Sequence, residues 1–207
     1  MSETDVADYA RTVARWEPGT RDRLQQAALE LFAEHGYDGV TVKEISDRAG
    51  LTERTFFRYF ADKREVLFLG NEQFQETFRS AAANSTAGEP LTVVLAGLRG
   101  AEALFPDDRR AWARARHEVV STNLALQERE LLKMSSLTTT LAQVLIDRGV
   151  DRRSADLAAE LGVTLFRATF TAWIAPGERR SFTELLDETL VGMRALLSGP
   201  RAVARPC

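Results

Sequence analysis

Apolar side chains recur at Leu24, Ala27, Ala28, Leu31 and Phe32. Steps of three and four predict an amphipathic helix from about Thr20 to His35. Gly36 supplies its C-cap, and Tyr37 and Val40 continue into the core. Residues 41–60 then read as two short helices around a tight turn at Gly50. Val42, Ile45 and Ala49 share one face of the first, which opens with the capping box Thr41-x-x-Glu44. Thr52 caps the second, whose Phe56 and Phe60 stack one turn apart on the inner side. Its outer side presents Glu53, Arg54, Phe57 and Arg58. A fourth helix is predicted from Lys63 to about Ala83, behind the box Asp62-x-x-Glu65, with Leu67, Phe74 and Phe78 inward.

The run Asn84-Ser85-Thr86-Ala87-Gly88-Glu89-Pro90 breaks the pattern, and a domain boundary is placed there. Five more helices follow. The first carries Leu91, Val94, Leu95 and Leu98 and ends near Leu104; the second starts at Asp107 or Asp108. The third runs from about Leu124 to Arg148, with Met134, Leu137, Leu141, Val144 and Leu145 inward. Residues 152–175 are apolar around most of the helix, which demands burial on more than one side. Ser181-x-x-Glu184 caps the last helix, which repeats Leu185, Leu186, Leu190, Met193 and Leu197. No strand-like alternation intervenes, so the fold class is all-α with about nine helices. The predicted domains are a three-helix helix-turn-helix with its connecting helix over 20–86 and a larger helical domain over 87–198. Residues 1–19 read as a loose arm and 199–207 as a tail.

Charge complicates the functional reading without reversing it. The net charge of −3 is unusual for a DNA-binding chain, but phosphate attraction depends on local cations within roughly 8 Å at physiological salt. Here Arg54, Arg58, Lys63 and Arg64 outnumber Glu53 and Asp62. A helix-turn-helix with such a face suits a DNA groove. The one cysteine, Cys207, excludes an intrachain disulfide and fits a reducing cytoplasm. No apolar run approaches the ~18–20 residues that span a bilayer. The histidines are His35 and His117, with no Gly-rich phosphate loop and no metal-ligand spacing, so enzyme chemistry is disfavoured and no cofactor is expected.

Residues 23–37 (Arg-Leu-Gln-Gln-Ala-Ala-Leu-Glu-Leu-Phe-Ala-Glu-His-Gly-Tyr), 41–52 and Phe56-Phe-Arg-Tyr-Phe-Ala-Asp-Lys-Arg-Glu-Val-Leu67 carry a resemblance. In order and spacing they resemble the N-terminal DNA-binding domain of the TetR family of bacterial transcriptional regulators. The resemblance covers under a quarter of the chain; beyond it only length and helical pattern agree.

Among the candidate DNA contacts, Thr41 and Thr52 stand at helix N-termini that can meet phosphates. Arg54 is the foremost base reader, since a guanidinium pairs with guanine O6 and N7. Glu53 and Thr55 are further readers, with Glu53 equally a helix-start charge; Arg58 suits base or phosphate. The resemblance implies a phosphate clamp at Lys63. It also places a tyrosine where this chain has Phe57, so that hydroxyl contact is lost or moves to Tyr59, whose alternative role is core packing.

The resemblance further implies a homodimer on a palindromic operator, joined by the last two helices. Leu157, Leu161, Gly162, Leu165, Leu186, Leu190, Met193 and Leu197 are the candidate interface, completion of the protomer core being the alternative. It implies as well a pocket for a small-molecule effector, for which Trp112, Arg116, His117, Met134, Phe166 and Phe170 are candidates. The expected function is a cytoplasmic repressor released from its operator by that effector. An architectural DNA binder without effector, or a helical enzyme, is the alternative.

Overall fold

The structure, a computed structural model, describes residues 19–68 and 70–198. The arm and tail expected at 1–19 and 199–207 lie outside the described residues, except for Gly19. Among the described residues there are nine α-helices, short 3-10 turns and no strand. No helix among them is long and apolar enough to cross a membrane. The helices fall into two compact units, one comprising the described residues 19–68 with Glu118–Asn123, the other residues 70–117 with 124–198.

In the first unit, α1 (Thr20–His35) buries Leu24, Ala27, Ala28, Leu31 and Phe32, as its periodicity requires. It packs on α2 (Val42–Arg48), which packs on α3 (Glu53–Tyr59). Ile45, Phe56 and Phe60 close the space between them, each at most 2% exposed. Gln25 of α1 donates to the carbonyl of Val66 at 3.1 Å, tying in the 3-10 turn Arg64–Leu67.

The single long helix expected over Lys63–Ala83 is not formed. Gly70 has φ 85°, a left-handed value that the interior of a right-handed helix excludes. The preceding residues tighten into the 3-10 turn, and α4 begins afresh at Asn71 and ends at Ala83. The division between units falls just before Gly70, not in the polar run 84–90. That run is held by Arg148, whose guanidinium donates to the carbonyls of Ala83, Ser85 and Ala87 at 2.8–3.2 Å.

The second unit wraps α4, α5 (Pro90–Gly100), α6 (Arg110–Ser121) as far as His117, α7 (Leu124–Asp147), α8 (Arg152–Trp173) and α9 (Phe182–Ser198) around one core. Phe74, Phe78, Phe105, Phe166, Phe170, Trp173 and Phe182 form an aromatic cluster with centroids 4.3–6.1 Å apart. The C-terminal end of α8 leaves carbonyls unpaired, as every helix end does. Arg110 donates to Trp173 and Arg114 to Ile174 and Ala175, at 2.5–2.9 Å. Ser181 and Glu184 form the expected reciprocal cap before α9.

Candidate nucleic-acid interface

The turn between α2 and α3 is set by hydrogen bonds that the local sequence dictates. Thr41 Oγ1 accepts from the Glu44 N–H at 3.2 Å, and the Thr41 N–H donates to Glu44 Oε2 at 2.7 Å. The second bond, with the Thr41 hydroxyl also donating to Glu44, holds this carboxyl below the usual range. At the other end of α2, Gly50 has φ 68°, its N–H reaches the Asp47 carbonyl, and the Leu51 N–H reaches Ser46. These two bonds form a Schellman closure, which needs a left-handed residue where Gly50 stands. Thr52 Oγ1 then accepts from the Thr55 N–H at 3.2 Å and starts α3.

With Phe56 and Phe60 anchored behind it, α3 turns Glu53, Arg54, Phe57 and Arg58 outward, all exposed. Phe57 is 54% exposed, its ring edge-on to Phe56 at 5.5 Å. No hydrogen bond or ion pair engages Arg54 among the described residues. Thr55 and Tyr59 are half-buried. Two guanidinium groups lie near the Tyr59 ring, Arg58 at 5.3 Å and Arg21 at 5.9 Å from its centroid. Arg21, at the start of α1, was not singled out from the sequence, because no local pattern links residues 38 positions apart.

Three residues expected at the phosphates have other partners in the fold. The hydroxyls of Thr41 and Thr52 are engaged in capping, Thr52 also with Thr55 Oγ1 at 3.1 Å. Lys63, expected as an exposed phosphate clamp, is half-buried, and its ammonium donates inward to the carbonyls of Tyr37 and Val40, both at 2.7 Å. Burial lowers its pKa, against the opposing pull of Asp38 and Glu44. The loop 36–41 leaves those carbonyls without a helical partner, and the Lys63 ammonium fills the gap.

The candidate dimer residues divide. Leu165, Leu186 and Leu190 are at most 5% exposed inside the protomer, and Gly162 is buried against Val94 of α5, so these four belong to the core. Helical periodicity alone cannot distinguish a stripe facing α5 from one facing a second chain. Leu161 and Met193 are half-buried; Leu157 and Leu197 are 61% and 76% exposed. Val191, absent from the sequence-based set, is 64% exposed on α9.

The six candidate effector residues lie on α6, α7 and α8. Met134 and Phe166 are in the core, Trp112 and Phe170 are half-buried, and His117 is exposed with its ring 6.2 Å from Phe170. Arg116 is 8% exposed and pairs with Glu130 at 2.5 Å. A groove of about 330 Å³ between α7 and α8 is lined by other residues, among them Thr138, Gln143, Arg152 and Asp156.

A three-helix unit that presents an exposed, cation-bearing helix beyond a Schellman turn defines a helix-turn-helix protein. Residues 24–68 match the model of the bacterial regulatory proteins of the tetR family. It is 41% identical over 81 residues to the transcriptional regulator TcmR of Streptomyces glaucescens, covering 39% of this chain and 36% of that one. The chain therefore spans little more than a third of that relative's length. Against the transcriptional repressor AcnR of Corynebacterium glutamicum it is 27% identical over 176 residues, covering 83% and 88% of the two chains. The fold of FadR from Bacillus subtilis, solved in complex with stearoyl-CoA, superposes with a TM-score of 0.55. That likeness covers 82% of this chain and 95% of FadR at 20% identity, and establishes the fold alone.

Proposed function

We propose that the chain is a sequence-specific DNA-binding transcriptional regulator whose operator affinity is set by a small organic effector. The observation that carries this reading is Arg54. An exposed guanidinium with no carboxylate partner among the described residues projects from a helix anchored by two buried phenylalanines. Its fork suits guanine in the major groove, while Arg58 and Tyr59 lie close enough to position the backbone. Repression is the expected sign, as in the relative named a repressor.

One seven-residue helix reads few base pairs, so the regulator acts as a homodimer on a palindrome with half-sites about one DNA turn apart. Leu157, Val191, Leu196 and Leu197 are the large exposed apolar residues of α8 and α9 available to join two copies. The effector is held by the second unit and shifts the population of DNA-competent molecules. FadR in its complex with stearoyl-CoA supports an organic ligand for this fold. The reading places the protein in the cytoplasm, with the chromosome.

Selection of bound sequences from random DNA tests it. A palindromic motif is expected, and Arg54→Ala should weaken binding by about 1–3 kcal/mol while relaxing one position in each half-site. Preference below about tenfold over unrelated DNA would replace regulation by an architectural role.

A further inference from the structure

Inside the second unit two cations converge on one carboxylate. Arg116 of α6 donates to Glu130 of α7 at 2.5 Å, and Lys133 follows Glu130 by three residues on α7. Among the described residues Lys133 has no ion pair; its ammonium sits 4.0 Å from the centre of the Phe74 ring. A desolvated cation resting on a ring face retains only part of what hydration supplied. Burial, reinforced by the like charge of Arg116, lowers the Lys133 pKa to about 8. Burial works to raise Glu130, but Arg116 and Lys133 outweigh it and hold the carboxyl low. The local balance is thus positive even with Glu130 ionised.

The apolar side of the cluster continues without a gap. Phe74 meets Phe166 edge-on at 5.8 Å, and Phe166 stacks on Phe170 at 6.1 Å. Glu130, Lys133 and Phe170 are only half-buried, so the margin of the cluster reaches solvent.

We propose that Lys133 and Arg116 form the head-group subsite for an amphipathic organic anion, its apolar body lying along Phe170 towards Phe166. The proposal rests on the effector reading above and names the class of effector. The incoming anion brings Lys133 the negative partner it lacks and shares Arg116 with Glu130. A neutral ligand of the same shape would gain the aromatic contacts alone.

Fluorescence titration of the full-length protein with 1-anilinonaphthalene-8-sulfonate and with its uncharged analogue N-phenyl-1-naphthylamine separates the two contributions. The sulfonate should bind about tenfold more tightly, a difference of about 1.4 kcal/mol. Lys133→Met should weaken the sulfonate by roughly tenfold and leave the neutral probe within about twofold. Lys133→Arg should restore it, and Glu130→Gln, which removes the competing carboxylate, should tighten it. Equal affinity for the two probes, or equal loss of both in Lys133→Met, overturns the proposal. Should Lys133→Met fail to fold, Glu130→Gln decides the matter: it should tighten the sulfonate and leave the neutral probe within about twofold, and an equal shift of both probes overturns the proposal. Arg54→Ala should leave these titrations unchanged while weakening operator binding, so failure of the regulator reading is distinguishable from failure of the subsite.

Discussion

Lys63 donates its ammonium to the main-chain carbonyl of Val40 at 2.7 Å, across 23 residues of sequence. With the matching bond to Tyr37 and the Tyr37 ring 4.1 Å away, it clamps the loop between α1 and α2 to the segment after α3. Lys63→Met should therefore cost stability, about 1–3 kcal/mol, by leaving two carbonyls unpaired. Thermal melting with and without the substitution measures this. An unchanged melting temperature, together with a salt slope for DNA binding reduced by about one, would return Lys63 to the role of phosphate clamp.

Gly162 of α8 faces Val94 of α5 so closely that a Cβ at this position would overlap Val94 Cγ1. Val94 is fully buried and has little room to yield. Overpacking of this kind costs about 1–3 kcal/mol, less the fraction of about 1 kcal/mol that alanine gains over glycine in a helix. Denaturant unfolding of Gly162→Ala should show a net loss, with no change in oligomeric state. Dissociation without loss of stability would place Gly162 at an interface between chains instead.

Leu157 and Val191 stand 61% and 64% exposed on α8 and α9. A charge at either should prevent two copies from joining yet leave the protomer core intact. Sedimentation of Leu157→Glu and Val191→Glu is expected to show monomers whose helical content matches the parent. Leu190→Glu, at a 5% exposed site, should unfold the second unit because an unpaired carboxylate would be forced into the core. Dimers that persist in both surface variants would remove this face from the interface.

Lys133 links stability to pH. Its folded pKa of about 8 lies below the ordinary lysine value of 10.5, so between these values the unfolded chain binds more protons. Stability contributed by this group therefore increases as pH rises through that window, and the penalty is fully present below about 8. Urea unfolding at pH 7.5 and 9.5 should show the parent gaining on Lys133→Met as pH rises. Parallel pH profiles for the two proteins would mean that Lys133 is hydrated in the native state.

The elements that local chemistry specifies were legible without coordinates. Thr41 with Glu44, Gly50, Thr52, and Ser181 with Glu184 each satisfy helix-end groups only a few residues away, so their spacing in the chain is their spacing in space. The same holds for Phe56 and Phe60, one helical turn apart, which by facing inward turn Arg54 outward. Tertiary packing decided what periodicity leaves open. An apolar stripe must be covered, but Leu165, Leu186 and Leu190 are covered by their own protomer while Leu157 and Leu197 are not. Gly70 could have been tolerated within a helix at modest cost, yet its left-handed conformation ends one unit and starts the next. Lys63 and the Arg116–Glu130–Lys133 cluster depended on partners 14 to 59 residues away, which only the folded chain brings into range. A charge declares its sign in the sequence, whereas its desolvation and its neighbours exist only once the chain has closed around it.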